Sequence, residues 1–181
     1  GGQGAVTAAA MLAAALLEEG KYAVSIPSFG FERRGAPVVS FLRCSDREIR
    51  QLTNIYTPDC LICVDPTLAK TVDIFGGLKP GGTLVQATNK PLAEVALSPS
   101  VATVGLCDAI GIALQIFSKP ITNTLMLGAF ARTTGVVSLD ALKRSLEDSD
   151  FRDAGLKQNL LALERGYNET TVYQIPQRAV A

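Results

Sequence analysis

The residues whose types and spacing suit ligand binding lie in two glycine-framed loops, and the first of these opens the chain. Gly1, Gly2, Gln3 and Gly4 form a glycine-rich turn that leads directly into an alanine- and leucine-rich stretch of strong helix formers. Backbone N–H groups at a helix start carry partial positive charge, and glycines let a ligand approach them closely. The turn therefore predicts a phosphate or carboxylate site, with a tight turn before a buried helix as the alternative.

This turn does not match the common nucleotide-binding fingerprints. A dinucleotide fingerprint G-x-G-x-x-G that begins at Gly2 would place its third glycine at Thr7. The predicted strand 22–26 runs into Pro27 and Ser28, without the carboxylate that would hold a ribose. The Gly-Lys-Ser/Thr of a P-loop is missing as well. The sequence thus argues against NAD binding and nucleotide hydrolysis, and it leaves the anionic ligand unnamed.

The second loop, residues 27–37, carries Glu32, Arg33, Arg34 and Gly35 beside two phenylalanines. Adjacent arginines supply charge-assisted hydrogen-bond donors that suit a phosphate or carboxylate. Arginine and aromatic residues are also the residues that anchor the centres of protein interfaces. The loop is consistent with a ligand site, with a subunit contact or with both, while a salt-bridged surface loop is the non-functional alternative.

The chain contains no histidine, which removes the usual general base and the commonest metal ligand. Cys60 and Cys63 have C-x-x-C spacing, but no second pair stands nearby, and the C-x-x-C-x-x-C spacing of an iron–sulfur run is missing. The pair lies in a predicted buried strand, 60–64, so the two thiols should point to opposite faces. We therefore predict no metal site, and an isolated chain that is inactive and free of iron.

Composition narrows the class of protein further. The chain has 181 residues, 48% of them hydrophobic, and its 17 basic and 17 acidic residues balance. A neutral chain argues against a nucleic-acid role, and the longest apolar stretch, 5–17, is too short to span a bilayer. These features predict one domain, residues 1–181, that is cytoplasmic and that buries apolar surface in an obligate hetero-oligomer.

Strand and helix patterns alternate along the chain, which predicts an α/β three-layer sandwich with a mainly parallel sheet and helices on both faces. Such a sheet would normally begin with a strand before the glycine turn, so we expect that strand to be left out of this numbering. Predicted strands cover 22–26, 38–43, 60–64, 83–87 and 101–107. Predicted helices follow the first turn as far as Gly20 and cover 46–56, 66–75, 108–117, 123–133, 139–146 and 156–165.

Two helix ends and the tail carry specific expectations. Ser138 has the side chain and position of an N-cap for the helix 139–146, and Gly166 is placed to end the helix 156–165. The polar, proline-containing tail from Asn168 is predicted to lie on a partner surface or to be mobile.

Several short motifs together resemble the gamma subunit of 2-oxoacid:acceptor oxidoreductases, the pyruvate:ferredoxin oxidoreductase family. They are Gly1-Gly2-Gln3-Gly4 before the Ala-rich helix, Phe31-Glu32-Arg33-Arg34-Gly35-Ala36-Pro37, Thr122-Asn123, Met126-Leu127-Gly128, and Asn159 with Gly166-Tyr167. The resemblance covers nearly the whole chain, and the two loop signatures at this spacing are its most specific part.

The resemblance implies that this chain carries none of the complex's redox cofactors. Thiamine diphosphate with Mg would lie between alpha and beta subunits, a ferredoxin-like subunit would hold [4Fe-4S] clusters, and the gamma chain would border the coenzyme A site. The complex would convert a 2-oxoacid to an acyl-CoA. The residues assigned to cofactor binding are Gly1, Gly2, Gln3, Gly4, Glu32, Arg33, Arg34, Gly35 and Asn123. A non-catalytic nucleotide- or CoA-binding module and a structural interaction subunit remain as alternatives.

Overall fold

A computed structural model of the chain describes residues 3–28, 37–149 and 155–177. The helices are α1 (Ala5–Glu18), α2 (Ala109–Phe117), α3 (Asn123–Thr134), α4 (Leu139–Glu147) and α5 (Leu156–Asn168), with 3-10 segments at Pro66–Lys70 and Leu92–Glu94. The strands are β1 (Tyr22–Ser28), β2 (Val39–Ser45), β3 (Cys60–Cys63), β4 (Gly82–Ala87), β5 (Val101–Cys107) and β6 (Thr171–Gln174). None of the helices in these ranges has the length and apolar character of a membrane span.

The main sheet has the strand order β3-β4-β5-β6. Strands β3, β4 and β5 pair in parallel, and β6 adds an antiparallel edge strand. Strands β1 and β2 form a separate antiparallel ribbon. The α/β class with a mainly parallel sheet is therefore confirmed. The prediction for the tail is wrong over β6, because those residues pair with β5 instead of leaving the body of the protein.

The two faces of the main sheet are covered differently. Alternate residues such as Val85 and Cys107 face a core built with all five α-helices. Residues that point to the other face of the same strands, such as Leu84 and Val104, contact a smaller core under the 3-10 segments and loops. Because successive side chains of a strand point to opposite faces, one strand sequence supplies both cores.

Strand β3 shows the same alternation at its cysteines. Cys60 packs against the helix-side core and Cys63 against the smaller one, so the predicted opposite orientation of the two thiols is confirmed. Burial raises the pKa of Cys60 to about 12 and that of Cys63 to about 11. Both side chains are therefore protonated thiols at neutral pH, and they act as small apolar core residues.

Three of the local predictions need correction. Residues 46–56 form no helix; instead Arg43 Nη2 donates to the carbonyls of Thr53 and Asn54, at 3.2 and 3.3 Å, and fixes the segment as irregular chain. The predicted helix 66–75 shortens to the 3-10 segment Pro66–Lys70. By contrast, the Ser138 cap is confirmed, since its Oγ accepts from Ala141 N at 3.1 Å.

The third correction concerns Gly166, which lies inside α5 and does not end it. A Cβ at Gly166 would lie 2.1 Å from the Leu125 carbonyl oxygen, and a Cβ at Gly128 would lie 2.1 Å from the Leu163 carbonyl oxygen. Both glycines are thus required where α3 and α5 cross backbone to backbone. A side-chain hydrogen bond of 3.1 Å from Thr124 to Asn159 ties the first turns of the two helices together. The two glycines and the Thr124–Asn159 hydrogen bond together hold α3 against α5.

Candidate functional site

Gln3 and Gly4, the described part of the glycine turn, lead into α1 as predicted. Gly4 is the N-cap residue with a φ of +76°, and the Ala8 N–H donates to its carbonyl at 2.9 Å. Among the described residues no side chain caps this end, and the first turn of α1 contains no acidic residue. The first N–H groups of the helix therefore have no intrahelical acceptor, and they carry the partial positive charge that attracts an anion.

Asn123, the first residue of α3, packs directly on this turn. A Cβ at Gly4 would lie 2.7 Å from Asn123 Nδ2 and 3.3 Å from Asn123 Cβ, so only glycine allows this approach. The sequence could not show this contact, because 118 residues separate the two positions in the chain (123 minus 4, less one). The starts of α1 and α3 thus meet at one point.

Two buried polar atoms at the start of α3 have no hydrogen-bond partner among the described residues. Asn123 is 6% exposed and its Oδ1 is unpaired, while Thr122 is 1% exposed and its Oγ1 is unpaired. Buried polar groups are normally hydrogen-bonded, since leaving one unpaired costs about 1–3 kcal/mol. Two such atoms beside an uncapped helix start are consistent with a ligand that supplies the missing partners.

Gln3 anchors the turn to the main sheet. Its Nε2 donates to Asp65 Oδ2 at 3.0 Å, and Asp65 Oδ1 accepts from the backbone N and hydroxyl of Thr67. The hydrogen bonds from Thr67, and more weakly that from Gln3, hold the pKa of Asp65 below its usual value. Because Asp65 lies just beyond β3, the turn sits at the carboxyl end of the parallel strands, where open α/β sheets bind ligands.

A groove of about 1530 Å³ leads from this point between the helices α1 and α3 and the strand β2. Asn123 and Arg43 both line it. The buried Nε of Arg43 has no hydrogen-bond partner in the part of the chain that the structure describes, and the salt bridges found there do not include Arg43. Sequence reasoning missed Arg43, which looked like the last residue of a strand, and missed Asp65, which looked like a strand end.

Of the nine residues predicted to bind a cofactor, the structure brings three together: Gln3, Gly4 and Asn123. The other six, Gly1, Gly2, Glu32, Arg33, Arg34 and Gly35, lie outside the described residues. The described ends of the second loop are neighbours, because Ser28 pairs with Val39 across the β1–β2 ribbon. Within the described part of the chain, no three His, Cys, Asp or Glu side chains are grouped to hold a metal ion.

This combination of an α/β sheet, a glycine turn at the carboxyl ends of its strands and an uncapped helix start is typical of a ligand-binding subunit. Residues 1–169 match the family model of pyruvate ferredoxin/flavodoxin oxidoreductases, and the chain belongs to that family. It is a gamma subunit of a multi-subunit 2-oxoacid oxidoreductase.

Two similar proteins support this assignment. The gamma subunit of the NADH-dependent phenylglyoxylate dehydrogenase of Aromatoleum evansii is 75% identical over 181 residues, which cover 100% of this chain and 95% of that protein. The crystal structure of the pyruvate oxidoreductase subunit PORC of Thermotoga maritima matches with a TM-score of 0.82 and 36% identity, covering 96% of this chain and 93% of that chain.

A more distant structure shows the same fold inside a longer chain. The 2-oxoglutarate:ferredoxin oxidoreductase of Magnetococcus marinus, with 2-oxoglutarate, coenzyme A and succinyl-CoA bound, matches with a TM-score of 0.71 and 22% identity. The match covers 92% of this chain and 28% of that chain. At this identity the likeness concerns the fold alone.

Proposed function

We propose that this chain is the gamma subunit of a complex that oxidatively decarboxylates an aryl 2-oxoacid, with phenylglyoxylate as the first candidate substrate. The observation that carries the proposal is the 75% identity, over the full chain, to the gamma subunit of a phenylglyoxylate dehydrogenase. The reaction joins the acyl group to coenzyme A, releases the carboxylate carbon as CO2 and passes two electrons to an acceptor. NAD is the acceptor suggested by the same relative.

The redox and carbanion chemistry belongs to other subunits in this proposal. Thiamine diphosphate with Mg would lie between alpha and beta subunits, and a ferredoxin-like subunit would hold the [4Fe-4S] clusters. The cysteines of this chain suit core packing better than cluster ligation, because Cys60 and Cys63 pack into different cores. The glycine turn also lacks the dinucleotide fingerprint, so NAD is assigned to a partner subunit.

Coenzyme A binding is the role proposed for the two loops of this chain. The uncapped start of α1 and the Asn123 amide would meet a phosphate or carbonyl group, and Arg43 faces the same groove. Asp65 places a negative charge beside the turn, so the positive charge that offsets a phosphate must come from arginines. Arg33 and Arg34 are proposed for that role.

Copurification from the native source tests the assignment. We expect the chain to purify with thiamine-diphosphate and ferredoxin-like subunits, and the complex to oxidise phenylglyoxylate much faster than pyruvate. Oxidation of either 2-oxoacid should require coenzyme A. The chain purified alone should show no turnover and no iron. A monomeric chain without partners in the native extract would contradict the proposal and favour an independent CoA-binding module.

Replacing Arg33 or Arg34 with Ala tests the coenzyme A role separately. Loss of one charge-assisted hydrogen bond worth about 1.5–3 kcal/mol should raise the apparent KM for coenzyme A about 10- to 150-fold. The KM for the 2-oxoacid should hardly change, because the decarboxylation half-reaction precedes acyl transfer to coenzyme A. An intact complex with an unchanged coenzyme A requirement would eliminate the phosphate role, and release of the subunit would show that the loop is an interface.

A further inference from the structure

The β1–β2 ribbon and the main sheet share one core but are not paired with each other. Ala23 of β1 and Leu42 of β2 pack against the helix-side core together with Val85 of the main sheet. Among the described residues, no backbone pairing joins the two sheets. Strands β2 and β3 both line the groove of about 1530 Å³, which we call the β2–β3 groove. Its volume exceeds the about 300–1,000 Å³ common for small-molecule sites.

Strand β3 lies at the edge of the main sheet, and its backbone pairs only with β4 among the described residues. The Asp59 carbonyl accepts from a β4 amide at 3.0 Å, so Asp59 faces β4. Backbone groups alternate in direction along a strand, so Leu61 and Cys63 also face β4, whereas Ile62 faces away from it. Ile62 therefore presents its N–H and carbonyl at the open edge.

The sequence of β3 is that of an inner strand. Residues 60–64 are all apolar, and Ile62 is 38% exposed while Val85, its neighbour in β4, is 0% exposed. The other edge strand, β6, differs, because it begins with Thr171, ends with Gln174 and is soon followed by Pro176. Polar residues and proline protect a natural sheet edge, whereas a continuous apolar run is typical of a covered parallel strand. A further strand beside β3 would explain this difference.

The described chain starts at the carboxyl end of this open edge. Gln3 is hydrogen-bonded to Asp65, which lies just beyond β3, and α1 then lines the groove through Ala5, Ala9 and Leu12. Two parallel strands need a crossover connection, usually a helix, and α1 followed by β1 has the form of such a connection. A strand that runs parallel to β3 would deliver the chain to the glycine turn.

We propose that residues preceding Gly1 in the polypeptide form a strand that fills the β2–β3 groove and pairs in parallel with β3. This strand pairs the open backbone groups of Ile62 and joins the ribbon and the main sheet into one sheet. It ends at the glycine turn, so the uncapped start of α1 stays available for an anion. The proposal therefore does not depend on the coenzyme A assignment.

Amide hydrogen exchange tests the proposal on the chain expressed from its own start codon. The Leu61 amide faces β4 in either case and is the internal control. We expect the Ile62 amide to exchange within roughly tenfold of the Leu61 rate, and to show a nuclear Overhauser contact with a residue that precedes Gly1. An open edge would instead let Ile62 exchange roughly 100-fold faster than Leu61.

A photoreactive side chain identifies the occupant in the assembled complex, so the test does not require the chain to fold alone. Ile62→p-benzoylphenylalanine places the reactive group at the open edge. The same change at Ile110 is the control, because Ile110 is 39% exposed, nearly as much as Ile62, but lies on α2 outside the groove. Irradiation should link position 62, and not position 110, to a peptide that precedes Gly1.

Three results would overturn the proposal. The first is a native subunit whose intact mass leaves fewer than about three residues before Gly1, too few for a strand. The second is an Ile62 amide that exchanges as fast as an unpaired one. The third is a cross-link from position 62 to residues 29–36, to a second copy or to a partner subunit, which would identify a different occupant. None of these results changes the coenzyme A requirement, which the Arg33 and Arg34 variants measure separately.

Discussion

The five α-helices begin in two different ways. In α2 and α4 a side chain closes the N-terminus: Asp108 accepts from Gly111 N at 3.0 Å, and Ser138 accepts from Ala141 N at 3.1 Å. The ends of α1, α3 and α5 have no such side-chain cap from a described residue and no acidic residue in the first turn. The closed ends stabilise the fold, whereas the open ends meet around Asn123.

The difference between the two kinds of helix start shows which helices are stabilised by a side-chain cap and which are not. A side-chain cap stabilises a helix by about 1 kcal/mol, and no described residue supplies one to α1, α3 or α5. Glycine occupies two of the three open N-caps, Gly4 and Gly155, where a side chain would hinder close approach. The anion site proposed for this chain uses one of these open ends, the start of α1.

The largest effect is expected from Gly166→Ala, which should disrupt the arrangement of two open ends at once. The new Cβ would lie 2.1 Å from the Leu125 carbonyl oxygen, so α3 and α5 must separate. Overpacking of this kind costs about 1–3 kcal/mol, and the contact with rigid backbone places this site at about 3 kcal/mol. Denaturant unfolding of the full-length chain measures the loss.

Gly135→Ala is the control for that substitution. Gly135 follows α3 with a φ of +63°, and a Cβ there would meet no atom within 4 Å. Only backbone strain of about 1 kcal/mol is expected. Equal losses at the two positions would show that the helix crossing tolerates a methyl group and that the glycines do not hold α3 against α5.

Much of the fold could be predicted because local patterns determine it. Each predicted strand from 22–26 to 101–107 and the Ser138 cap depend on neighbours in sequence, and all are found. The misplaced end at Gly166 has a different cause, since its glycine serves a contact with Leu125 that lies far away in the chain. The helix predicted for 46–56 does not form, because Arg43 binds the carbonyls of Thr53 and Asn54, a contact that the helical pattern does not show.

In the candidate site, too, the residues that local sequence patterns indicate differ from those that depend on contacts between distant segments. The residue types at Gln3 and Gly4 indicated an anion site from sequence, since a glycine turn directly before a helix can be recognised from adjacent residues alone. Asn123 could be connected with them only through resemblance to a family. The sequence around Arg43 and Asp65 did not indicate that Arg43 lines the groove or that Asp65 binds Gln3, because both positions result from packing between distant segments.

Gly4→Ala should have an intermediate effect, and Gly20→Ala provides its control at the other end of α1. Both glycines have nearly the same φ, +76° and +77°, so both substitutions introduce similar backbone strain of about 1–2 kcal/mol. Only the Cβ at position 4 would strike Asn123, at 2.7 Å from Nδ2. Gly4→Ala should therefore destabilise the chain more and also raise the apparent KM for coenzyme A in the assembled complex. Equal losses of stability for Gly4→Ala and Gly20→Ala, with unchanged catalysis, would show that the contact between Gly4 and Asn123 matters neither for stability nor for coenzyme A binding.

The smallest change in stability is expected for Ser138→Ala and Thr122→Val, which compare a closed helix end with an open one directly. Both residues are N-caps with a hydroxyl group, but Ser138 Oγ caps α4 whereas Thr122 Oγ1 is buried and no described residue pairs with it. Removing the Ser138 hydroxyl should lower the free energy of unfolding by about 1 kcal/mol, because Ala141 N loses its acceptor. Removing the Thr122 hydroxyl should leave stability unchanged or raise it, because a buried unpaired hydroxyl is itself unfavourable and valine fills the same space. Thermal unfolding of both variants without added ligand measures the difference. A loss at Thr122 as large as that at Ser138 would show that this hydroxyl already stabilises the fold, and the start of α3 would then have to be counted among the closed ends.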